Sequence, residues 1–217
     1  MSIALTSDEL GAVGEGLFPT LCARAKLICN SSNRDRTGWD FVVEFPMPDV
    51  DENLTLDGRA PTACSVQLKA TAATGPVSLR LSSAERLAKD PRPALIVVMR
   101  LTPTGEPVAG YLIHLLDAPL AKVLKRLRVA QASRTFDVNN AKISFDYRRC
   151  GERFELTGEG LRRALERACG TDRAAYVVEK QRQLDELGYE NGGLEAEFRC
   201  GSKAPTTSAT CCWGSSL

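Results

Sequence analysis

Four polar residues in the first third of the chain have types and spacing that suit metal-assisted chemistry. Gln67 and Lys69 are two positions apart, so their side chains leave the same face of a strand. Asp40 and Glu15 supply carboxylates upstream. Carboxylate and amide oxygens are ligands that Mg²⁺ prefers, and a lysine can stabilise negative charge or hold an attacking water. The set therefore predicts a site for Mg²⁺ (or Mn²⁺) and a phosphate group.

These residues need two adjacent strands and one helix to bring them together. Residues 39–45 are rich in aromatic and β-branched types, and residues 64–70 alternate apolar and polar, so both segments are predicted strands. Residues 49–61 form the intervening loop, in which 54–56 is an optional short strand. If the two strands pair as a hairpin, Asp40 lies beside Gln67 and Lys69.

The helix that carries Glu15 is predicted over residues 6–26. Thr6 with Glu9 three residues later forms a capping-box pattern, and apolar residues recur at three- and four-residue steps. Pro19 is expected to kink this helix or to split it in two. A second capping box, Ser82 with Glu85, is expected to open a short helix that ends before residue 90.

The remaining pattern predicts an α/β fold. Residues 94–101 are an apolar run typical of a strand buried on both faces, and a turn at 102–107 leads to a strand at 108–116. The further predictions are helices at 118–128, 157–168 and 171–187, and strands at 142–147 and 194–200. We therefore expect a small central mixed sheet flanked by helices in residues 1–150. A helical extension or a further domain follows at 151–200, and a poorly ordered tail at 201–217.

The order of these motifs resembles the PD-(D/E)XK, or restriction-endonuclease-like, nuclease superfamily over residues 6–116. That family places an acid at a strand start, an acid-x-lysine on the next strand and often a glutamate on the first helix. The matching segments here are GWDFVV at residues 38–43, SVQLKAT at residues 65–71 and GAVGE at residues 11–15. The second segment is the glutamine-x-lysine variant.

The resemblance implies a metal-dependent endonuclease. Mg²⁺ would be held by Asp40, the backbone carbonyl of Leu68, Gln67 and Glu15, while Lys69 orients the water that attacks a DNA phosphodiester. Gln67 is neutral, so this site carries less negative charge than a site with two sheet acids. Glu15 then becomes either a necessary ligand or a water-mediated one. The variant is similar to defence-associated nucleases that are fused to, or paired with, an ATPase or sensor.

A second set of residues suggests contact with a nucleic acid backbone. Lys122, Lys125 and Arg126 share a helix face, and Arg128 and Arg134 follow nearby. A solvated helix face explains the same cluster equally well. His114 is interpreted as a hydrogen-bonded sheet residue, not a catalytic one.

Composition excludes several classes of protein. Lys and Arg total 28 against 27 Asp and Glu, so no global basic charge indicates a polyanion partner. Hydrophobic residues make up 43%, and no apolar run approaches the length of a membrane span. The first ten residues lack a signal-peptide pattern, which favours the cytoplasm. The eight cysteines include no C-x-x-C pair, so we expect no structural zinc and mostly buried thiols.

The resemblance thus implies a Mg²⁺-dependent DNA endonuclease that acts on double-stranded DNA. The family analogy adds that it is the effector of a prokaryotic antiphage defence system, working as a homo-oligomer or with a partner ATPase or sensor. The alternative is a non-catalytic module that binds nucleic acid or a protein partner on the same fold. A third possibility is an assembly domain that associates through the helices at 157–187.

Overall fold

The computed structural model describes residues 3–32, 38–49, 56, 61–132, 137–170 and 172–189. Its main sheet has six strands in the order β1-β2-β3-β5-β6-β8. β3 and β5 are parallel, and every other neighbouring pair is antiparallel. These strands are β1 (Ile28–Ser31), β2 (Phe41–Glu44), β3 (Ala63–Thr71), β5 (Ala94–Leu101), β6 (Pro107–His114) and β8 (Glu152–Phe154). The predicted mixed sheet is confirmed.

In the described part of the chain, six helices and a small second sheet accompany the main sheet. The second sheet pairs β4 (Val77–Arg80) with β7 (Lys142–Phe145) in antiparallel fashion. The helices are α1 (Ser7–Arg24), α2 (Leu81–Lys89), α3 (Asp117–Ala132), α4 (Tyr147–Cys150), α5 (Gly158–Cys169) and α6 (Arg173–Glu186). Parallel strands need a crossover connection, and β4 with α2 supplies it between β3 and β5.

The main sheet separates two apolar cores. Leu95, Val97 and Met99 of β5 pack with residues of α1 and α5 on one face. Ile96 and Val98 pack with α2 and α3 on the other face. A strand buried on both faces reads as a continuous apolar run, which is why residues 94–101 were recognisable from the sequence.

Pro19 neither splits the first helix nor ends it. α1 runs unbroken from Ser7 to Arg24, with the Thr6–Glu9 capping box present as predicted. Phe18, Leu21 and Cys22 are fully or almost fully buried on either side of the proline. Their packing offsets the one helical hydrogen bond that the proline removes. Of the two expected effects of Pro19, a kink or a split, the split is therefore wrong.

The second predicted capping box, Ser82 with Glu85, is absent. α2 begins at Leu81, its N-cap residue is Arg80, and no side chain caps it. The Leu81 amide instead donates to the backbone carbonyl of Ala141 at 2.8 Å. The chain enters α2 directly from β4, a strand that the sequence did not suggest, so Ser82 already lies inside the helix.

The segment after residue 150 packs into the same two cores as the rest. β8 extends the main sheet by pairing with β6. Leu161 and Leu165 of α5 belong to the core beneath α1, while Leu184 of α6 packs against the other core. Within the described residues, no helix is both long enough and apolar enough to cross a membrane. The optional strand at 54–56, the strand at 194–200 and the tail at 201–217 lie wholly or mostly outside the described residues.

Candidate active site

The end of the β2–β3 hairpin brings Asp40 and Gln67 into direct contact. Phe41 of β2 lies opposite Val66 of β3, so the preceding residue, Asp40, falls beside Gln67. The Gln67 Nε2 donates to Asp40 Oδ2 at 2.5 Å, and the backbone amide of Leu68 donates to the same oxygen at 2.7 Å. Gln67 is only 8% exposed. Two donors in a mostly buried position therefore fix the Asp40 carboxylate.

Lys69 lies two residues after Gln67 in β3, so its side chain leaves the sheet on the same face. The alternation is visible in the packing, because Val66 and Leu68 enter the core beneath α1 while Gln67 and Lys69 do not. Lys69 is half-buried and lines the same cleft as Asp40 and Gln67. Asp40, Gln67 and Lys69 therefore line one cleft, at the point where the pairing of β2 with β3 ends.

Helix α1 forms one wall of this cleft. A Cβ built on Gly14 would lie 2.7 Å from the Cβ of Ala70 in β3, so glycine allows the helix to approach the sheet closely. Glu15 follows Gly14 and lines the cleft. Asp8, two turns earlier on the same face, also lines it. Glu15 thus lies at the site as predicted, and Asp8 is an addition that its seven-residue spacing from Glu15 could have revealed.

The corner between β4 and α2 forms another wall of the cleft. Arg80, the last residue of β4, and Ser83, in the first turn of α2, both line the cleft. Gly38 has φ +82°, and a Cβ added there would meet the carbonyl oxygen of Ser83 at 3.0 Å. This contact brings the start of α2 against the segment that leads into Asp40. Arg80 was missed in the sequence because β4 was missed.

The cleft encloses about 740 Å³ and carries charges of both signs. Within the part of the chain that the structure describes, Asp8, Glu15, Lys69 and Arg80 form no ion pair or side-chain hydrogen bond. Charges on α5 and α6 behave differently. Their pairs include Arg162 with Glu166, Arg163 with Glu159 and Arg182 with Glu179. Charged groups that line a cleft without neutralising one another are available to a charged ligand.

The oxygen donors at this site fit a magnesium ion that retains several waters. No group of three or more His, Cys, Asp or Glu side chains among the described residues could hold a metal. Mg²⁺, however, is commonly bound through one or two carboxylates with waters completing its shell. Asp40 and Glu15, which both line the cleft, would supply the carboxylates. The Leu68 amide faces Asp40, and a strand residue directs its N–H and C=O to the same side, so the Leu68 carbonyl faces this site too.

The structure describes four of the five predicted DNA-contacting cations, and all four lie on α3. Arg128 donates to the backbone carbonyl of Leu187, and its guanidinium lies 3.6 Å from the ring centroid of Tyr189, so it holds the end of α6. Lys122 donates to the carbonyl of Ser144 at 2.5 Å. Lys125 and Arg126 are exposed on the same helix, and Arg134 lies outside the described residues. None of the four described cations lines the cleft.

His114 forms a hydrogen bond with Tyr176 and does not line the cleft. Its Nε2 lies 3.0 Å from the Tyr176 hydroxyl oxygen, and the two rings stack with centroids 5.6 Å apart. Burial, with the nearby Lys180 ammonium, lowers the pKa of His114 to about 4. The imidazole is therefore neutral at physiological pH and packs between β6 and α6.

No protein-family model, curated protein or solved structure matches this chain.

Proposed function

We propose that this protein is a Mg²⁺-dependent DNA endonuclease that hydrolyses phosphodiester bonds in the cleft between α1 and the β4–α2 corner. One observation carries the proposal. A carboxylate fixed by two donors lines the same cleft as a lysine that has no ion-pair partner among the described residues. The motif order that resembles the PD-(D/E)XK superfamily supports the same assignment.

Each residue has a distinct part in this reaction. The Gln67 amide and the Leu68 amide hold the Asp40 carboxylate in one orientation. Asp40, the Leu68 carbonyl, Gln67 and Glu15 would hold Mg²⁺, which when bound polarises a phosphoryl oxygen as a Lewis acid. Lys69 orients the attacking water and stabilises negative charge that develops on the phosphate. Because Lys69 has no ion-pair partner among the described residues, its charge remains available to the substrate.

The biological setting follows from the resemblance alone. We infer an effector of a prokaryotic antiphage defence system that acts in the cytoplasm on double-stranded DNA. Its activity is gated by homo-oligomerisation or by a partner ATPase or sensor protein. Lys125 and Arg126 on α3 remain candidates for contact with the DNA backbone outside the cleft.

A nicking assay tests the catalytic proposal. Supercoiled plasmid is incubated with Mg²⁺ and with wild-type protein, Lys69→Ala or Asp40→Asn. Lys69→Ala removes the group that orients water, so we expect at least a hundredfold loss of nicking, the usual range for a positioned proton-transfer or charge-stabilising group. Asp40→Asn retains the side-chain volume and removes the charge, and we expect a similar loss.

The matched control is Lys89→Ala, since Lys89 is an exposed lysine at the end of α2 that does not line the cleft. It should nick like wild type. Thermal melting of all variants excludes unfolding as the cause. Full activity in Lys69→Ala and Asp40→Asn would refute the assignment.

A second candidate function is a non-catalytic module that binds nucleic acid or a protein partner. The neutral Gln67 favours it, because its amide nitrogen points to Asp40 and adds no negative charge to the site. The two functions differ in their response to metal. A nuclease should gain thermal stability with millimolar Mg²⁺ or Mn²⁺, because a ligand that binds the native state stabilises it, whereas a binding module should not.

A further inference from the structure

Arg80 lines the cleft on the β4–α2 wall, apart from the acidic residues of α1. It ends β4 and serves as the N-cap residue of α2, so its backbone position is set by two elements at once. β4 is in turn held by four residue pairs with β7, from Val77–Phe145 to Arg80–Lys142. A side chain that begins at such a junction projects from a defined point.

The contact between Gly38 and α2 locates Arg80 relative to Asp40. The Ser83 carbonyl would lie 3.0 Å from a Cβ on Gly38, which is two residues before Asp40. Arg80 is three residues before Ser83, about one helical turn away. Arg80 and Asp40 therefore lie on neighbouring segments of the same wall, and both line the cleft together with Lys69.

The distribution of charge across the cleft is asymmetric. Asp8 and Glu15 lie on the α1 wall, whereas Lys69 and Arg80 lie on the sheet and the β4–α2 wall, where the Asp40 carboxylate is already held by two hydrogen-bond donors. A polyanionic strand is repelled by the first wall and attracted by the second. No ion pair joins Arg80 to a carboxylate among the residues that the structure describes, so its guanidinium remains available to a phosphate.

We propose that Arg80 binds a phosphate of the nucleic acid strand adjacent to the phosphate that is hydrolysed, and so sets the path of the strand along the β4–α2 wall. This inference rests on the proposed function for the identity of the reacting phosphate. The inference concerns one contact between Arg80 and a phosphate, and a binding measurement tests that contact without requiring cleavage. A planar guanidinium offers two parallel donors to phosphate oxygens, a geometry that lysine lacks.

The test measures the affinity of a duplex oligonucleotide at several salt concentrations, without divalent metal, for wild type, Arg80→Gln and Arg80→Lys. Each phosphate contact contributes a slope of about 0.9 to the decrease of log affinity with log salt on duplex DNA. Arg80→Gln should reduce the magnitude of the slope by about 0.9 and weaken binding about fivefold at low salt, the size of a partly exposed ion pair. Arg80→Lys should retain the slope and lose part of the affinity.

Arg148→Gln is the matched control, because Arg148 is an exposed arginine on α4 that does not line the cleft. Its slope should equal that of wild type. Equal slopes for Arg80→Gln and Arg148→Gln would overturn the inference, even if wild type cleaves plasmid. Conversely, a reduced slope in Arg80→Gln with no cleavage by wild type would uphold the contact and refute the nuclease.

A competition arm separates a strand phosphate from a free one. A nucleoside monophosphate or inorganic phosphate at millimolar concentration should displace the oligonucleotide weakly from wild type, because a single phosphate makes one contact of the many in a strand. Displacement by the monophosphate at the concentration that displaces the oligonucleotide itself would assign Arg80 to a small-molecule site, and would overturn the strand assignment.

Discussion

Two titratable side chains, the half-buried His114 and the buried Lys180, lie where α6 packs on the rest of the protein. Lys180 is only 2% exposed, and its ammonium group donates to the backbone carbonyls of Arg92 at 3.2 Å and Leu87 at 3.4 Å. Burial lowers the pKa of Lys180 to about 8. The Lys180 ammonium opposes protonation of His114, whereas Asp117 partly favours it. The Tyr176 hydroxyl forms a hydrogen bond with the imidazole. The stability of this region should therefore depend on pH.

His114 should destabilise the folded protein as the pH falls from about 6.5 to about 4. Its pKa is about 4 in the folded state against 6.5 when unfolded, so only the unfolded state binds the proton in this window. The full effect is about 3 kcal/mol. Urea unfolding at several pH values should show a steeper loss of stability in wild type than in His114→Gln. Parallel curves for the two proteins would contradict the assignment.

The alternation of side chains explains why part of the site was predictable from the sequence. Gln67 and Lys69 had to share a strand face, and the aromatic segment before Pro46 had to supply the neighbouring strand. Arg80 was not predictable in this way. Its strand is four residues long and pairs with β7, more than sixty residues away, and no local pattern encodes that partner.

Capping by polar side chains joins α6 to two other helices. The Gln183 Oε1 accepts a hydrogen bond from the Asp117 amide at 2.6 Å, and its Nε2 donates to Asp117 Oδ1 at 2.8 Å. Gln183 thereby caps the start of α3, where Asp117 has φ +52°. Lys180 binds carbonyls at the end of α2, and Arg128 of α3 binds the end of α6. The helix pattern was readable in sequence, but these contacts depend on tertiary structure and were not.

The approach of α1 to β3 should tolerate no side chain at position 14. Gly14→Ala places a methyl group 2.7 Å from the Ala70 Cβ, so the helix must shift away from the sheet and carry Glu15 with it. We expect a loss of stability of about 1–3 kcal/mol, typical of overpacking. Gly16→Ala is the matched control on the same helix, since nothing lies within 4 Å of its added Cβ.

Alanine favours a helix over glycine, so Gly16→Ala should stabilise the protein by up to about 1 kcal/mol. Chemical denaturation measures both variants. Equal changes in the free energy of unfolding would show that Gly14 is not a point of close contact. Nicking by Gly14→Ala should fall further than its remaining folded fraction explains, because Glu15 moves with the helix.

The two cores together draw on residues from both ends of the described chain. Leu10 and Phe18 of α1 share one core with Leu161 and Leu165 of α5, although about 150 residues separate them. Phe18 contacts Phe41 with ring centroids 5.0 Å apart, directly beside Asp40. The segment after residue 150 therefore supports the cleft from beneath, although it does not line it.

A chain that ends at residue 150 should fail to unfold cooperatively. It lacks β8, α5 and α6, so it exposes the apolar surface that Leu161, Ala164, Leu165 and Cys169 cover. Each large apolar side chain contributes roughly 1.5–3 kcal/mol on burial, and the sum approaches the whole stability of a typical domain. The full chain should show one cooperative transition. A cooperative transition in the shorter chain would contradict this dependence, and circular dichroism during heating measures both.

Trp39 precedes Asp40, borders the cleft and lies beneath the Arg92 guanidinium, which is 5.7 Å from its ring centroid. The chain contains one other tryptophan, Trp213. An indole in this position makes the cleft visible by intrinsic fluorescence, since the emission of a half-buried ring responds to the polarity and charge around it. A Trp213→Phe protein thus carries a single native fluorophore beside the reacting groups, and occupancy becomes measurable without attaching a dye.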